Sequence, residues 1–263
     1  MGGRGDLQKY IPPFSNWLYN INMNSPVVLA VAVLPALVWI LLIRWWDRKE
    51  PEPPLLLAKL FLAGIIIYLA VFASNIVLQS LFVSVGFIPP FASLSRDDNF
   101  ILIAISALLP AIIQQIITFW AAIKLVRNEK HFTESVDGIV YFFSIAVGSA
   151  VTENIMAFFI GSNTSTTLGQ TLFQAIFTSL MLGICGGIMG LTLGNEKFHK
   201  TGRIYTGIFA AIFVHAIYKF FIISNDYRLA GVVVIVAAIY LFTRFSYAMP
   251  AKNTPKQENN TPS

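Results

Sequence analysis

The chain has 263 residues, of which 56% are hydrophobic and only 12% are charged. Soluble domains contain about 45–50% apolar and about 25% charged residues, so this composition excludes an ordinary soluble globular protein. The net charge of +5 requires no nucleic-acid partner, because anionic lipid headgroups attract basic loops.

Apolar runs recur along the chain, and each is long enough to cross a hydrocarbon core of about 30 Å. They predict an all-α fold, a polytopic membrane bundle of about seven transmembrane helices within residues 26–246. The predicted spans are 27–45, 55–84, 101–124, 137–161, 169–194, 203–222 and 227–246. Helix-breaking residues mark the joints, namely Pro51, Pro53 and Pro54, Pro89 and Pro90, Gly161 and Ser162, and Gly194 and Asn195.

Polar segments flank the spans, and basic residues predict their sides. Residues 1–25 are polar, and residues 247–263 are expected to form a disordered tail. The first apolar run is interpreted as a helix and not as a signal peptide. Twelve Lys or Arg residues fall on one side of the predicted bundle and four on the other. The positive-inside rule then places the N-terminus outside and the C-terminus in the cytoplasm.

The third predicted span carries polar side chains at its centre. Pro110 interrupts the backbone hydrogen bonds and can kink the helix. Gln114 and Thr118 share a face, and Gln115 lies about 100° around the helix from them. Buried glutamines need hydrogen bonds, so the pair is expected to point into the bundle, as interhelical glue or as part of a site.

The fourth span contains the acidic residues. Asp137 is expected to be the N-cap of this helix. Glu153, which precedes Asn154, lies deep in the span, where a carboxylate must be protonated, paired or bound to metal. Ionisable groups inside a bilayer are costly, so they indicate a functional site by default.

The sixth span supplies the basic side chains. His215 and Lys219 lie four residues apart on one face, beside Tyr218. Glu153 and Lys219 both lie about 24 Å along helices that start on the same side, so an ion pair is expected if the spans touch. Gln114 lies about 20 Å along a helix that starts on the opposite side, so its depth fits less well.

The fifth span contains glycines at positions 183, 186, 187 and 190. This four-residue spacing favours close helix packing. The same span holds Cys185, the one cysteine of the chain, which cannot form an internal disulfide.

Taken together, three stretches resemble the PrsW-type intramembrane proteases, relatives of the membrane-embedded CAAX-processing proteases. They are the loop Asp47-Arg-Lys-Glu-Pro-Glu-Pro53, the helix with Asp137-Gly and Glu153-Asn154, and the histidine helix Phe213-Val-His-Ala-Ile-Tyr218. The resemblance covers about residues 40–222. It implies a bacterial-type plasma membrane, with Gln114, Gln115 and Glu153 at catalytic positions and Glu153 and His215 as metal ligands.

The chain departs from the pattern that this resemblance leads us to expect. The family's Glu-Glu-x-x-Lys element is Gln114-Gln115-Ile-Ile-Thr118 here. A further family histidine, expected near Leu182 or Gly183, is missing, and Lys219 stands where asparagine is frequent. Glutamine cannot act as a base at neutral pH and binds zinc poorly. Cys185 is a conceivable third ligand, although its shift along the helix re-aims the side chain.

Three functions follow as hypotheses. The first is a non-catalytic protease homologue without a cofactor, which binds membrane proteins or transmembrane segments in the former substrate cleft. The second is an active zinc metalloprotease that cleaves single-span substrates such as anti-sigma factors, as the resemblance implies. The third is a proton-linked transporter, because intramembrane Glu, Lys and His can carry protons. In each case Thr118, Asn154, Tyr218 and Lys219 are expected to line the site.

Overall fold

A computed structural model describes residues 25–47, 51–84, 99–161, 168–200 and 203–248. These residues form seven α-helices: α1 (Ser25–Trp46), α2 (Pro54–Ser84), α3 (Phe100–Val126), α4 (Ser135–Gly161), α5 (Leu168–His199), α6 (Ile204–Ile223) and α7 (Tyr227–Ala248). All seven are long and apolar enough to cross a membrane. The predicted all-α bundle is confirmed, whereas residues 1–24 and 249–263 lie outside the described part of the chain.

Helix α4 forms the centre of the bundle. Of its membrane span, 94% is buried inside the protein, compared with 78% for α5 and 17–33% for the other five helices. It packs against α1, α2, α3, α5 and α7. A helix that is surrounded in this way can carry polar residues on several faces, since other helices satisfy them instead of lipid.

A seam of glycines joins α4 to α5, as the spacing in the fifth span predicts. A Cβ atom on Gly186 would lie 2.5 Å from the carbonyl oxygen of Phe142. The backbones at Gly138 and Gly190 approach each other still more closely. We call the contact made by Gly138, Gly186, Gly190 and Gly194 the glycine seam; it requires residues without side chains.

The seam also corrects the predicted end of the fifth span. Gly194 and Asn195 do not break the helix, because α5 continues to His199. Gly194 instead packs on α4, where a Cβ atom would lie 2.5 Å from the Ser135 carbonyl oxygen. The helix ends at His199, and Lys200, the next residue, has a positive φ of 48°.

Asp137 is not the N-cap residue of α4, because the helix begins two residues earlier, at Ser135. Its Oδ2 atom accepts hydrogen bonds from the backbone N–H groups of Thr133 and Glu134, each at 2.7 Å. The carboxylate therefore reaches back to the N–H groups before the helix, as the side chain of the third helical residue does in a capping box.

Successive helices of the bundle alternate in direction. Helices α1, α3, α5 and α7 end on the side where α2, α4 and α6 begin. We call this side the basic end, because most described Lys and Arg residues lie there: Arg44, Lys59, Lys124, Arg127, Lys130, Lys197, Lys200, Arg203 and Arg244.

Candidate functional site

The glutamine pair lies at the middle of α3 and faces the interior. Gln114 and Gln115 are each only 2% exposed. Pro110, one turn earlier, does not end the helix, which continues from Phe100 to Val126. The expectation that the pair points into the bundle is therefore confirmed.

Glu153 of α4 holds two of the predicted site residues. Its Oε2 atom accepts a hydrogen bond from Gln114 Nε2 at 2.8 Å. Its Oε1 atom accepts one from Lys219 Nζ at 2.6 Å, which forms the expected ion pair with α6. Both oxygens of this buried carboxylate are thus engaged, one by a neutral amide and one by an ammonium group.

His215 is held by the second glutamine. The Nε2 atom of Gln115 donates to Nδ1 of His215 at 2.8 Å, and the imidazole is 1% exposed. Because Nδ1 accepts this hydrogen bond, the neutral ring carries its proton on Nε2. We call Gln114, Gln115, Glu153, His215 and Lys219 the central polar cluster.

The predicted mismatch in depth for Gln114 does not keep it from Glu153. Helix α3 has 27 residues, as does α4, and each is about 40 Å long, which exceeds a hydrocarbon core of about 30 Å. Distances counted from the two helix starts therefore have no common origin at the membrane surface. Long Gln and Glu side chains bridge the remaining offset.

Residues of α5 complete the surroundings, and sequence reasoning missed them. Asn154 Nδ2 donates to the Ala175 carbonyl and to Ser179 Oγ, both at 3.2 Å. The hydroxyls of Tyr218 and Thr178 are hydrogen-bonded at 2.9 Å. The adjacent polar pair Thr178-Ser179 within an apolar span is the sequence feature that could have predicted this contribution of α5. Thr118 is buried one turn beyond Gln114.

A second group of acidic residues lies at the basic end, where Asp47 and Glu52 fall between α1 and α2 and Asp137 lies in the first turn of α4. Glu52 and Asp137 are both buried, 6% and 7% exposed, and Asp47 is nearby. Burial raises the pKa of Glu52 from 4.5 to about 8; the Tyr141 hydroxyl opposes the rise, whereas the Asp137 and Asp47 carboxyls add to it. The loop motif and the start of the fourth-helix motif thus meet at one place.

Comparison with known proteins decides the family. A family model described as PrsW family intramembrane metalloprotease matches residues 52–244. The chain belongs to the PrsW family. It is 27% identical over 217 residues to Protease PrsW of Clostridioides difficile (strain 630), which covers 81% of this chain and 85% of that protein. It is 22% identical over 183 residues to Protease PrsW of Geobacillus kaustophilus (strain HTA426), with coverages of 68% and 72%.

No solved structure matches the chain significantly. Membership of the PrsW family and the seven apolar helices together make this chain a multi-pass membrane protein.

The family description implies a metal ion, and this chain's residues would have to supply its ligands. A hydrolytic zinc site requires about three protein ligands and an open position. Glu153 and His215 lie in one cluster, but no group of three His, Cys, Asp or Glu residues with suitable placement occurs among the described residues. The Sγ atom of Cys185 donates a hydrogen bond to the Ala211 carbonyl oxygen at 3.3 Å, and Cys185 belongs to no such group of three. The described residues do not fit a three-ligand zinc site.

Proposed function

We propose that this PrsW-family protein is a non-catalytic protease homologue that binds membrane proteins or transmembrane segments in the former substrate cleft. The single observation that carries the proposal is the ion pair of 2.6 Å between Lys219 and Glu153. An ammonium group stands next to the carboxylate that the resemblance makes catalytic and metal-binding. It supplies the positive charge that a metal would otherwise supply.

The glutamines support the same proposal. A hydrolase of this class needs a carboxylate to take a proton from water, and such general-base catalysis contributes about 10²–10⁴-fold. Gln114 and Gln115 have neutral amides that cannot take that proton. Their nitrogen atoms donate to Glu153 and His215, so each glutamine satisfies one ionisable side chain of the cluster.

Access to the cluster supports a binding role. The Lys219 side chain is 25% exposed, whereas that of Glu153 is 10% exposed. Lys219 is therefore the more accessible side chain of the pair, and it is the one that we propose a polar group on a membrane segment contacts. In an apolar medium such a contact is formed only with a partner that offers hydrogen-bond acceptors.

Metal content tests the loss of catalysis. The purified full-length chain in detergent is dialysed against trace zinc, and bound zinc is counted by mass spectrometry beside the matched variant His215→Ala. We expect no stoichiometric zinc in either protein. About one zinc per chain that is lost in His215→Ala would overturn the proposal and favour an active metalloprotease.

Photocrosslinking in membranes tests binding. A photoreactive residue is placed at Phe220, next to Lys219. The control position is Phe213, which is exposed and lies two turns earlier on nearly the same face of α6, so it differs from Phe220 in position along the helix. Single-span membrane segments with and without an acidic residue serve as probes. We expect crosslinks at position 220 that depend on the acidic residue and on Lys219. Equal crosslinking at both positions would contradict a site at the cluster.

A further inference from the structure

A cavity of about 710 Å³ opens at the basic end, far from the central polar cluster. It lies between the start of α4, the end of α5, the start of α6 and the end of α7. Ser135, His199, Arg203 and Arg244 line it, together with Glu134 and Tyr247. Polar and basic side chains thus converge on one concave site at the end of an apolar bundle.

The two arginines of this cavity have no acidic partner among the described residues. Among the described residues, the salt bridge found is the one between Lys219 and Glu153. Neither Arg203 nor Arg244 forms a salt bridge with a described residue. The Arg244 guanidinium lies 5.5 Å from the centroid of the Tyr240 ring. Glu134 is an acidic residue in the lining, and the two guanidinium groups outnumber it.

Ser135 provides an independent observation at the same cavity. The residue is 8% exposed, and its Oγ atom is buried without a hydrogen-bond partner among the described residues. Buried hydroxyls are rarely left unsatisfied, and each exception requires an explanation such as an absent ligand. A hydroxyl of this kind is a donor for an anionic oxygen.

The start of α6 adds to the positive potential. The helix begins at Ile204, and Arg203 before it makes no side-chain hydrogen bond that caps the helix within the described residues. The first turn of a 20-residue helix favours anions, and phosphate in particular, through its N–H groups and the helix dipole. Arginine binds phosphate through paired N–H donors.

We propose that this cavity binds a phosphate-bearing anion, held by Arg203 and Arg244 with a hydrogen bond from Ser135. Two sources share this chemistry, an anionic phospholipid headgroup and a soluble phosphate. The position at the ends of four membrane helices favours the lipid, since basic pockets between such helices bind anionic headgroups. This site is separate from the proposed membrane-segment site and does not depend on it.

Lipid binding to the full-length chain tests the proposal. Phosphatidylglycerol or phosphatidylcholine is titrated into neutral detergent, and bound lipid is counted by native mass spectrometry. We expect the wild-type chain to retain phosphatidylglycerol in preference to phosphatidylcholine. In the double variant Arg203→Gln with Arg244→Gln, the apparent affinity for phosphatidylglycerol should fall about tenfold or more, because charge-assisted hydrogen bonds are removed. The matched control is Lys124→Gln with Arg127→Gln, two exposed residues at the same end that do not line the cavity.

Ser135→Ala is a milder variant that keeps the Cβ atom. We expect it to weaken retention of phosphatidylglycerol while leaving the thermal unfolding midpoint without lipid unchanged or higher, because the hydroxyl has no partner to lose. Displacement of the lipid by inorganic phosphate would support the site and assign it to soluble phosphates. Equal losses in the cavity and control pairs, or equal retention of both lipids, would overturn the proposal.

Discussion

At the scale of single residues, Lys219 and Glu153 depend on each other. Removing one partner of a buried ion pair leaves the other charge unpaired, which typically costs about 3–5 kcal/mol. Because Lys219 is partly exposed, we expect Lys219→Met to lower the free energy of unfolding by about 3 kcal/mol. Chemical unfolding in detergent, followed by circular dichroism, measures the change.

The double variant Glu153→Gln with Lys219→Met is the control for this prediction. It removes both charges, so we expect it to recover most of the stability that Lys219→Met loses. If the double variant is as unstable as Lys219→Met, the lysine contributes through packing and not through its charge.

Glu52 leads to a prediction on pH. Its folded-state pKa of about 8 lies above the ordinary value of 4.5, chiefly because the side chain is buried. Between these values the folded state binds more protons than the unfolded state, so stability falls as pH rises. Glu52 favours the folded state most below its unfolded pKa, and this contribution is lost as pH rises through about 8.

We therefore expect the thermal unfolding midpoint in detergent to fall as the pH rises from about 5 to about 8, the window that the two pKa values define. Glu52→Gln should flatten this profile and raise the midpoint at the alkaline end. Glu129→Gln, at an acid of the same end of the bundle, serves as the control and should keep the wild-type slope. An unchanged slope in Glu52→Gln would assign the pH dependence to other groups.

At the scale of helices, the glycine seam fixes how closely α4 and α5 approach. A Cβ atom at Gly190 would collide with the backbone at Gly138, and backbone cannot rotate away as a side chain can. We expect Gly190→Ala to cost about 1–3 kcal/mol of unfolding free energy, as overpacking does.

Gly231→Ala is the matched control for the seam. A Cβ atom there would meet the Phe173 ring at 3.6 Å, an ordinary contact. The change should be neutral or stabilising, because alanine favours a helix more than glycine does. Equal losses from both substitutions would mean that helix propensity, and not the seam, sets their effect.

The helices could be predicted from the sequence because each contains an apolar run long enough to cross a membrane. All seven predicted spans correspond to helices, because a bilayer span leaves few alternatives to a helix. The errors concern residues whose role depends on a neighbour. Gly194 looks like a helix end but packs on Ser135, and Asp137 looks like a cap but reaches back to Thr133. Local sequence does not contain those partners.

At the scale of the whole molecule, the basic end predicts orientation. Twelve basic residues against four lead us to expect the C-terminus in the cytoplasm and the N-terminus outside. Two fusions to the C-terminus measure the side on which it lies. A fluorescent protein is active only in the cytoplasm, and an alkaline phosphatase is active only outside. High fluorescence with low phosphatase activity is the expected result, and the reverse would contradict it.

The central polar cluster could be anticipated only in part. Polar residues inside apolar spans identified Gln114, Glu153, His215 and Lys219, because burial of such groups is costly. Matched depth along two helices that start on the same side predicted the Glu153–Lys219 pair, which the structure contains. The contact of Gln114 with Glu153 could not be predicted in this way, because α3 and α4 start on opposite sides and their depths have no common origin. Thr178 was missed because the glycines of its span suggested packing alone.

The burial of α4 has a consequence for biosynthesis. Of the seven spans in the described part of the chain, α4 has the lowest mean hydropathy, and nearly all of its span contacts other helices. Lipid alone is therefore a poor solvent for it. Asn154 gains its partners from α5, and Glu153 gains Lys219 from α6, and both of these helices are synthesised later. The polar side chains of α4 therefore have all their partners only after α5 and α6 have been inserted. Until then we expect α4 to depend on insertion chaperones more than the other helices do.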